Sequence, residues 1–143
     1  MKRAEALRPL SREHLTALLA AKKLREAEDG GVARDEFLAF WEEDGQRHFR
    51  VEEEVLLPGW AAYGEIDRAG VTRMLDEHLR IRREALRLGA RELSLGQIHE
   101  LGKLLNDHVR FEERELFVAA EAALDASALA KLAVAIEAAE AGD

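Results

Sequence analysis

The sequence of 143 residues contains no cysteine and only two prolines, Pro9 and Pro58. The missing cysteines exclude disulfide bonds, thiolate zinc sites, iron–sulfur clusters and thiol nucleophiles. The scarcity of proline leaves long stretches free to form uninterrupted helices. Hydrophobic residues make up 48% of the chain and charged residues 35%, a mixture typical of amphipathic helices. The composition therefore favours a helical protein.

The chain also lacks a basic stripe, and its formal net charge is −8. Because neutralisation of phosphates drives nucleic-acid binding, we expect no nucleic-acid partner. No apolar run approaches the roughly 20 residues that span a bilayer, and the charged N-terminus has no apolar signal-peptide core. We therefore expect a cytoplasmic protein that has no membrane partner.

Apolar residues recur with helical periodicity along most of the chain, and no stretch alternates like a strand. Ser11 is a candidate N-cap for the first helix, and Ser94 with Gln97 forms a candidate capping box for the fourth. Pro58 and the following Gly59 predict the end of the second helix and a loop over 59–67. The predicted helices cover about 11–28, 33–56, 69–92, 94–124 and 125–140.

Short connections between long amphipathic helices are typical of an up-down-up-down four-helix bundle. We predict one all-α domain over residues 1–143, with the bundle at about 11–124. An additional short C-terminal helix, at about 125–140, has Asp125 as its candidate N-cap. This helix either covers the bundle or forms a dimerisation surface, so a homo-oligomer remains an open alternative.

The sequence contains an internal repeat. Residues 48–57 recur as residues 108–117, and each segment has a histidine followed four residues later by a glutamate. A weaker echo, Glu-His-Leu, occurs at His14 and again at His78. Residues four apart on a helix share a face, so each His-x-x-x-Glu pair can converge on one point. The repeat predicts two related helical hairpins whose polar clusters face each other.

Four histidines and two glutamates of this repeat fall on the predicted core faces. Burying each polar group without a partner costs roughly 1–3 kcal/mol, and a bound cation compensates that cost. Six ligands exceed the need of one tetrahedral ion but suit two ions bridged by carboxylates. We predict one ion on His14 and His48 and the other on His78 and His108. The predicted metal ligands are His14, His48, Glu52, His78, His108 and Glu112.

Imidazole together with carboxylate suits iron, manganese or zinc, so the residues alone leave the metal open. The ferritin-like di-iron pattern is Glu-x-x-His, with the carboxylate before the imidazole. No histidine of this chain has a glutamate three residues before it. The observed order, histidine before glutamate, argues against a ferritin-like site.

The six residues in this order resemble the hemerythrin-like His-His-Glu cation-binding family. The resemblance covers about Ser11 to Ala120 and includes the phrases His-Phe-x-x-Glu-Glu and Leu-Leu-Pro. It implies two iron ions in an oxo- or hydroxo-bridged di-iron centre. Oxygen-carrying members have a His-x-x-x-His pair on the third helix, whereas His78 has Arg82 four residues after it and Met74 four residues before it. Those members also have an aspartate five residues after the histidine that corresponds to His108. The resemblance therefore implies a four-histidine set, similar to that of iron sensors and iron–sulfur repair proteins.

The remaining notable side chains have ordinary interpretations. His99 lies half a turn away from the ligand face of its helix, which predicts a solvated surface histidine. Trp60 and Tyr63 fall in the predicted loop, either as ordinary packed residues or as a lid over the site. We expect exposed carboxylates that pair with arginine at Glu53, Glu54, Glu113 and Glu115. We expect core aromatic residues at Phe37, Trp41, Phe49, Phe111 and Phe117.

The ligand set leaves coordination positions free for a small molecule. We therefore expect a protein that binds or senses dioxygen, nitric oxide or peroxide, or that reports iron availability, and that has no catalytic residue. One alternative is a di-iron enzyme or iron donor, active in iron–sulfur cluster repair or peroxide reduction. Another alternative is a metal-free helical interaction protein.

Overall fold

The computed structural model describes residues 2–142, which are almost entirely helical and contain no strand in that range. A short 3₁₀ turn, Glu5–Leu7, precedes the first α-helix. The α-helices are α1 (Arg8–Arg25), α2 (Gly30–Phe40), α3 (Gln46–Val51), α4 (Leu57–Tyr63), α5 (Arg68–Gly89), α6 (Leu95–Phe111), α7 (Phe117–Ala123) and α8 (Ala126–Ala141). No helix between residues 2 and 142 is both long and apolar enough to cross a membrane.

Wider π-helical turns join some of these helices without a break in the helical path. They are Trp41–Gly45 between α2 and α3, Glu52–Leu56 between α3 and α4, and Glu112–Leu116 between α6 and α7. The last two begin at the glutamates of the repeated segments. Single π turns inside α-helices occur frequently at functional sites. Residues 30–63 and 95–123 therefore form two long continuous helical stretches.

The first helix begins earlier than the sequence predicts. α1 starts at Arg8, and Pro9 occupies its first turn, where a backbone N–H has no helical acceptor and proline is well tolerated. Ser11 consequently lies inside the helix and is not its N-cap. Its hydroxyl instead donates a 2.7 Å hydrogen bond to the carboxylate of Glu113.

The second helix also begins early, because Asp29 acts as an N-cap. Its carboxylate accepts hydrogen bonds from the backbone N–H groups of Gly31 and Val32, at 2.8 and 3.2 Å. Gly30 and Gly31 therefore start α2, whereas α1 ends at Arg25. The predicted capping box of Ser94 and Gln97 is present at the start of α6.

The prediction that Pro58 and Gly59 end the second helix is wrong. A π turn, Glu52–Leu56, directly precedes Pro58, and the helical path continues through this proline to Tyr63. The predicted loop over 59–67 is therefore helical as far as Tyr63. Trp60 is therefore a helix residue and not a loop residue; it is fully buried and donates to the Glu65 carbonyl oxygen at 2.8 Å.

The helices surround a closed interior. α1 packs along α6 and contacts α2, and α5 contacts both α2 and α6. The first apolar cluster consists of Ala17, Ala20, Ala21, Leu24, Ala33, Phe37, Trp41, Phe49, Ile81, Ala85, Leu88, Ile98, Leu101, Leu105 and Val109. The second apolar cluster consists of Leu7, Leu10, Val51, Leu56, Trp60, Met74, Phe111, Leu116, Phe117, Ala120, Leu124, Ala128, Leu132 and Ile136.

A polar layer separates the two apolar clusters. On α1, His14 lies between Leu10 of the second cluster and Ala17 of the first. On α5, the histidine lies in the same way between Met74 of the second cluster and Ile81 of the first. The histidines of the repeat therefore meet at one level of the molecule, with apolar packing on both sides.

Candidate metal centre

The structure brings all six predicted ligands into this buried layer. None is more than 6% exposed. The four histidines come from α1, α3, α5 and α6, and the two glutamates open the π turns after α3 and α6. The set comprises His14, His48, Glu52, His78, His108 and Glu112.

Glu52 lies between histidines of three different helices. Its Oε2 atom is 3.1 Å from Nε2 of His48 and 3.7 Å from Nε2 of His14. Its Oε1 atom is 3.2 Å from Nε2 of His78. One carboxylate therefore presents a separate oxygen to each side of the cluster.

Glu112 repeats this arrangement with the roles of the two sides reversed. Its Oε1 atom is 2.8 Å from Nε2 of His14. Its Oε2 atom is 3.0 Å from Nε2 of His108 and 3.3 Å from Nε2 of His78. Two groups of potential ligand atoms result, each with its atoms within 4.8 Å of one another. One contains His14 and His48, the other contains His78 and His108, and both include the two glutamates.

The buried atoms of the cluster fit a cation. Among residues 2–142, the buried side-chain atoms without a hydrogen-bond partner include Nε2 of His48, Nε2 of His108 and both carboxylate oxygens of Glu52. Leaving a buried polar atom unpaired costs about 1–3 kcal/mol. Cations held by nitrogen and oxygen ligands, one in each of the two groups, would satisfy all four atoms. The residues present therefore suit a bound metal ion.

The ionisation of these groups depends strongly on their neighbours. Burial disfavours a charged ring, but the hydrogen bond to Glu112 and the close contact with Glu52 outweigh it and raise the pKa of His78 to about 11. Burial acts in the same direction on His48, yet the charge of Glu52 raises the pKa of this ring to about 9. Burial and the charge of Glu112 raise the pKa of Glu52, but the opposing effect of His48 and His14 is larger and lowers this pKa to about 2. Without metal, protonated rings therefore neutralise the buried carboxylates.

Four further glutamates hold the outward-facing nitrogens of the histidines. A carboxylate only accepts, so each ring donates its Nδ1–H and turns Nε2 towards the centre. We call these four glutamates the outer carboxylates; they are Glu13, Glu53, Glu77 and Glu113. The pairs are His14 with Glu113 at 2.6 Å, His48 with Glu13 at 2.6 Å, His78 with Glu53 at 2.6 Å, and His108 with Glu77 at 2.8 Å.

Sequence reasoning missed the outer carboxylates. It placed Glu53 and Glu113 among exposed partners of arginine, whereas their side chains are only 23% and 29% exposed and accept from histidine. Both do contact arginine, and Glu54 and Glu115 are exposed as expected. The missed signal was adjacency within the repeat. Glu13 and Glu77 directly precede predicted histidine ligands, and Glu53 and Glu113 directly follow predicted glutamate ligands.

The prediction that His99 is a solvated surface residue is wrong. The ring is half-buried rather than solvated, and its Nε2 atom lies 2.8 Å from the backbone carbonyl oxygen of Ala27. Ala27 lies in the short connection that follows the end of α1 at Arg25. The histidine therefore fastens α6 to the connection between α1 and α2.

Aromatic rings enclose the cluster, and the five predicted core aromatic residues are all buried. Phe49 stacks on the imidazole of His78, with 3.8 Å between ring centroids and 7° between planes. Phe117 stacks on His14 at 5.3 Å. A small, mostly apolar pocket beside His14 and His48 is lined by Trp41 and Gly45, among others. Aromatic side chains therefore shield the cluster, and the pocket beside it is mostly apolar.

Comparison with known proteins agrees with this geometry. The family model described as the hemerythrin HHE cation binding domain matches residues 6–120, which include all six side chains of the cluster. No match to the chain was found among curated proteins or among solved structures. The chain therefore belongs to the hemerythrin HHE cation-binding domain family.

Proposed function

We propose that this protein binds two iron ions in the buried layer and uses them to bind or sense a small ligand. His14 and His48 would hold one ion, and His78 and His108 would hold the other. The main support for this proposal is that Glu52 and Glu112 each direct one oxygen to each histidine pair. Such carboxylates are suited to bridge two cations.

The choice of iron rests on the donor set and the family together. Imidazole and carboxylate ligands suit iron, manganese and zinc, and the chain has no thiolate to favour a softer metal. Two nitrogens and two oxygens per ion leave coordination positions free. Bound iron would supply a redox-active centre that takes up dioxygen, nitric oxide or peroxide.

The surrounding residues support a small and weakly polar ligand. Trp41 and Gly45 line the apolar pocket beside the centre, and Phe49 covers His78 on another side. These side chains would exclude bulk water from the metal ligands. We further propose that the helices form an up-down-up-down four-helix bundle, supported by the closed ring of contacts among α1, α2, α5 and α6, and that α8 is an additional C-terminal helix.

Elemental analysis of untagged protein, before and after anaerobic reconstitution with ferrous iron, tests the metal proposal. We expect two irons per chain and an ultraviolet–visible spectrum that changes when the reduced protein meets dioxygen or nitric oxide. His78→Ala is the test variant and His99→Ala its control, because His99 lies outside the cluster. Zinc alone, or no metal after reconstitution, would refute the di-iron centre. Two irons without a spectral response would refute the ligand-binding role.

A further inference from the structure

Each outer carboxylate contacts an arginine as well as a histidine. Arg82 binds both oxygens of Glu53, at 2.8 and 3.1 Å. Each of the other three carboxylates has one oxygen near an arginine, and Arg3 also donates to the backbone carbonyl oxygen of Glu113 at 2.7 Å. The side-chain contacts join Arg73 to Glu77 at 3.1 Å, Arg3 to Glu113 at 3.3 Å, and Arg47 to Glu13 at 3.8 Å. Four His–Glu–Arg triplets therefore surround the buried layer.

Three of these arginines are themselves held in place by aromatic rings. Arg73 lies over Phe111 at 4.1 Å from the ring centroid, and Arg82 lies over Phe49 at 5.5 Å. Arg3 lies over Phe117 at 5.6 Å. Phe49 and Phe117 also stack on histidines of the layer, so ring, arginine and carboxylate are fixed together.

The triplet of His48 is the weakest. Arg47 is 3.8 Å from Glu13, but it is also 3.7 Å from Glu140 of α8 and 3.3 Å from Asp44, so its charge is shared among three acidic side chains. Within residues 2–142, Arg47 does not lie over an aromatic ring as the other three arginines do. We therefore expect the carboxylate of Glu13 to hold its histidine less firmly than that of Glu53.

We propose that Glu13, Glu53, Glu77 and Glu113 are positioning residues that set the affinity of the centre for metal. This inference rests on the proposed metal site. A carboxylate that accepts Nδ1–H fixes the ring orientation and leaves the Nε2 lone pair facing the metal, and its charge makes that nitrogen a stronger ligand. The arginine keeps the carboxylate ionised and oriented. These four glutamates would touch no metal themselves.

The test compares Glu53→Gln with Glu54→Gln, since Glu54 is the exposed neighbour on the same π turn. The amide of Glu53→Gln still accepts from the ring but carries no charge. Titration with Co²⁺ against a competing chelator should show a loss of affinity of about 10–100-fold for Glu53→Gln. The visible band of bound Co²⁺ should shift as well. We expect no change in Glu54→Gln and a smaller loss in Glu13→Gln than in Glu53→Gln.

The outcomes separate this inference from the proposed function. Wild-type protein that binds no metal would overturn both. Wild-type protein that binds two ions, with Glu53→Gln within twofold of it and the same Co²⁺ band, would overturn this inference alone. An equal loss in Glu54→Gln would overturn it too. Circular dichroism checks folding, and Glu77→Gln decides the question if Glu53→Gln does not fold.

Discussion

The contact between α1 and α6 depends on Gly102. A methyl group at this position would lie 2.8 Å from the carbonyl oxygen of Ala21, and 2.8 Å from both the backbone nitrogen and the Cγ atom of Arg25. Two of these atoms belong to the backbone, so they yield only if α1 moves. Because α1 carries His14 and α6 carries His108, Gly102→Ala would also change the spacing of the two halves of the cluster.

Two opposing effects set the change in the free energy of unfolding of Gly102→Ala. Alanine favours a helix interior over glycine by about 1 kcal/mol, which alone would stabilise the variant. Overpacking costs about 1–3 kcal/mol, and three contacts below van der Waals distance at Gly102 place this site near the upper end. We expect a net loss of about 1–2 kcal/mol, which lowers Tm by roughly 2–8 °C in a chain of this size.

Gly96 provides a matched control on the same helix. A methyl group there would meet nothing closer than 3.9 Å, at Oγ of Ser94. Gly96→Ala should therefore stabilise the protein by up to about 1 kcal/mol. Thermal unfolding followed by circular dichroism, with and without metal, measures both variants. If Gly102→Ala raises Tm as Gly96→Ala does, the helix contact is not limited by this glycine and the reasoning fails.

Three further predictions concern the core and the charged groups. Phe49→Ala removes the ring stacked on His78 and should lower the free energy of unfolding by about 3–5 kcal/mol in urea titrations; a loss below about 1 kcal/mol would contradict it. The raised pKa values of His48 and His78 stabilise the metal-free protein below pH 6.5, and this contribution is lost as pH rises through about 9 and about 11. The Tm of the metal-free protein should fall between about pH 6 and about pH 10. The rise in Tm on adding metal should become larger over the same pH range, because metal binding displaces those protons; Tm curves with and without metal that run parallel would refute this. Burial, with the nearby Glu13, raises the pKa of Glu140 from 4.5 to about 7, so ionising this carboxyl costs stability above pH 4.5. Glu140→Gln should therefore stabilise the protein more at about pH 8 than at about pH 5, and a pH-independent effect would argue against the raised pKa.

Much of the site follows from the sequence because its information is local and repeated. A histidine and a glutamate four residues apart share a helix face whatever the rest of the chain does, and the repeat places such a pair on two helices. Apolar residues on the same faces as His48 and His108 indicate that both rings are buried. The convergence of the six side chains is thus encoded in spacing and periodicity.

What the sequence did not reveal depends on tertiary contacts or on local register. Glu53 accepts from a histidine 25 residues away, and Glu113 from one 99 residues away, so no local rule connects these pairs. Pro58 illustrates the second difficulty. The general rule that proline ends a helix holds for a regular α-helix, whereas here a π turn directly precedes the proline and the helical path continues to Tyr63.

The layered interior has a consequence for how the protein unfolds. Two hydrophobic cores meet across a plane of charged groups, and without metal that plane contributes the contacts most sensitive to pH. Opening on one side then need not require opening on the other, as in proteins whose parts exchange amide hydrogens separately. Cations shared by ligands from α1, α3, α5 and α6 would tie both cores to one event. Metal loading would therefore add a direct link between the two cores and make their unfolding more cooperative.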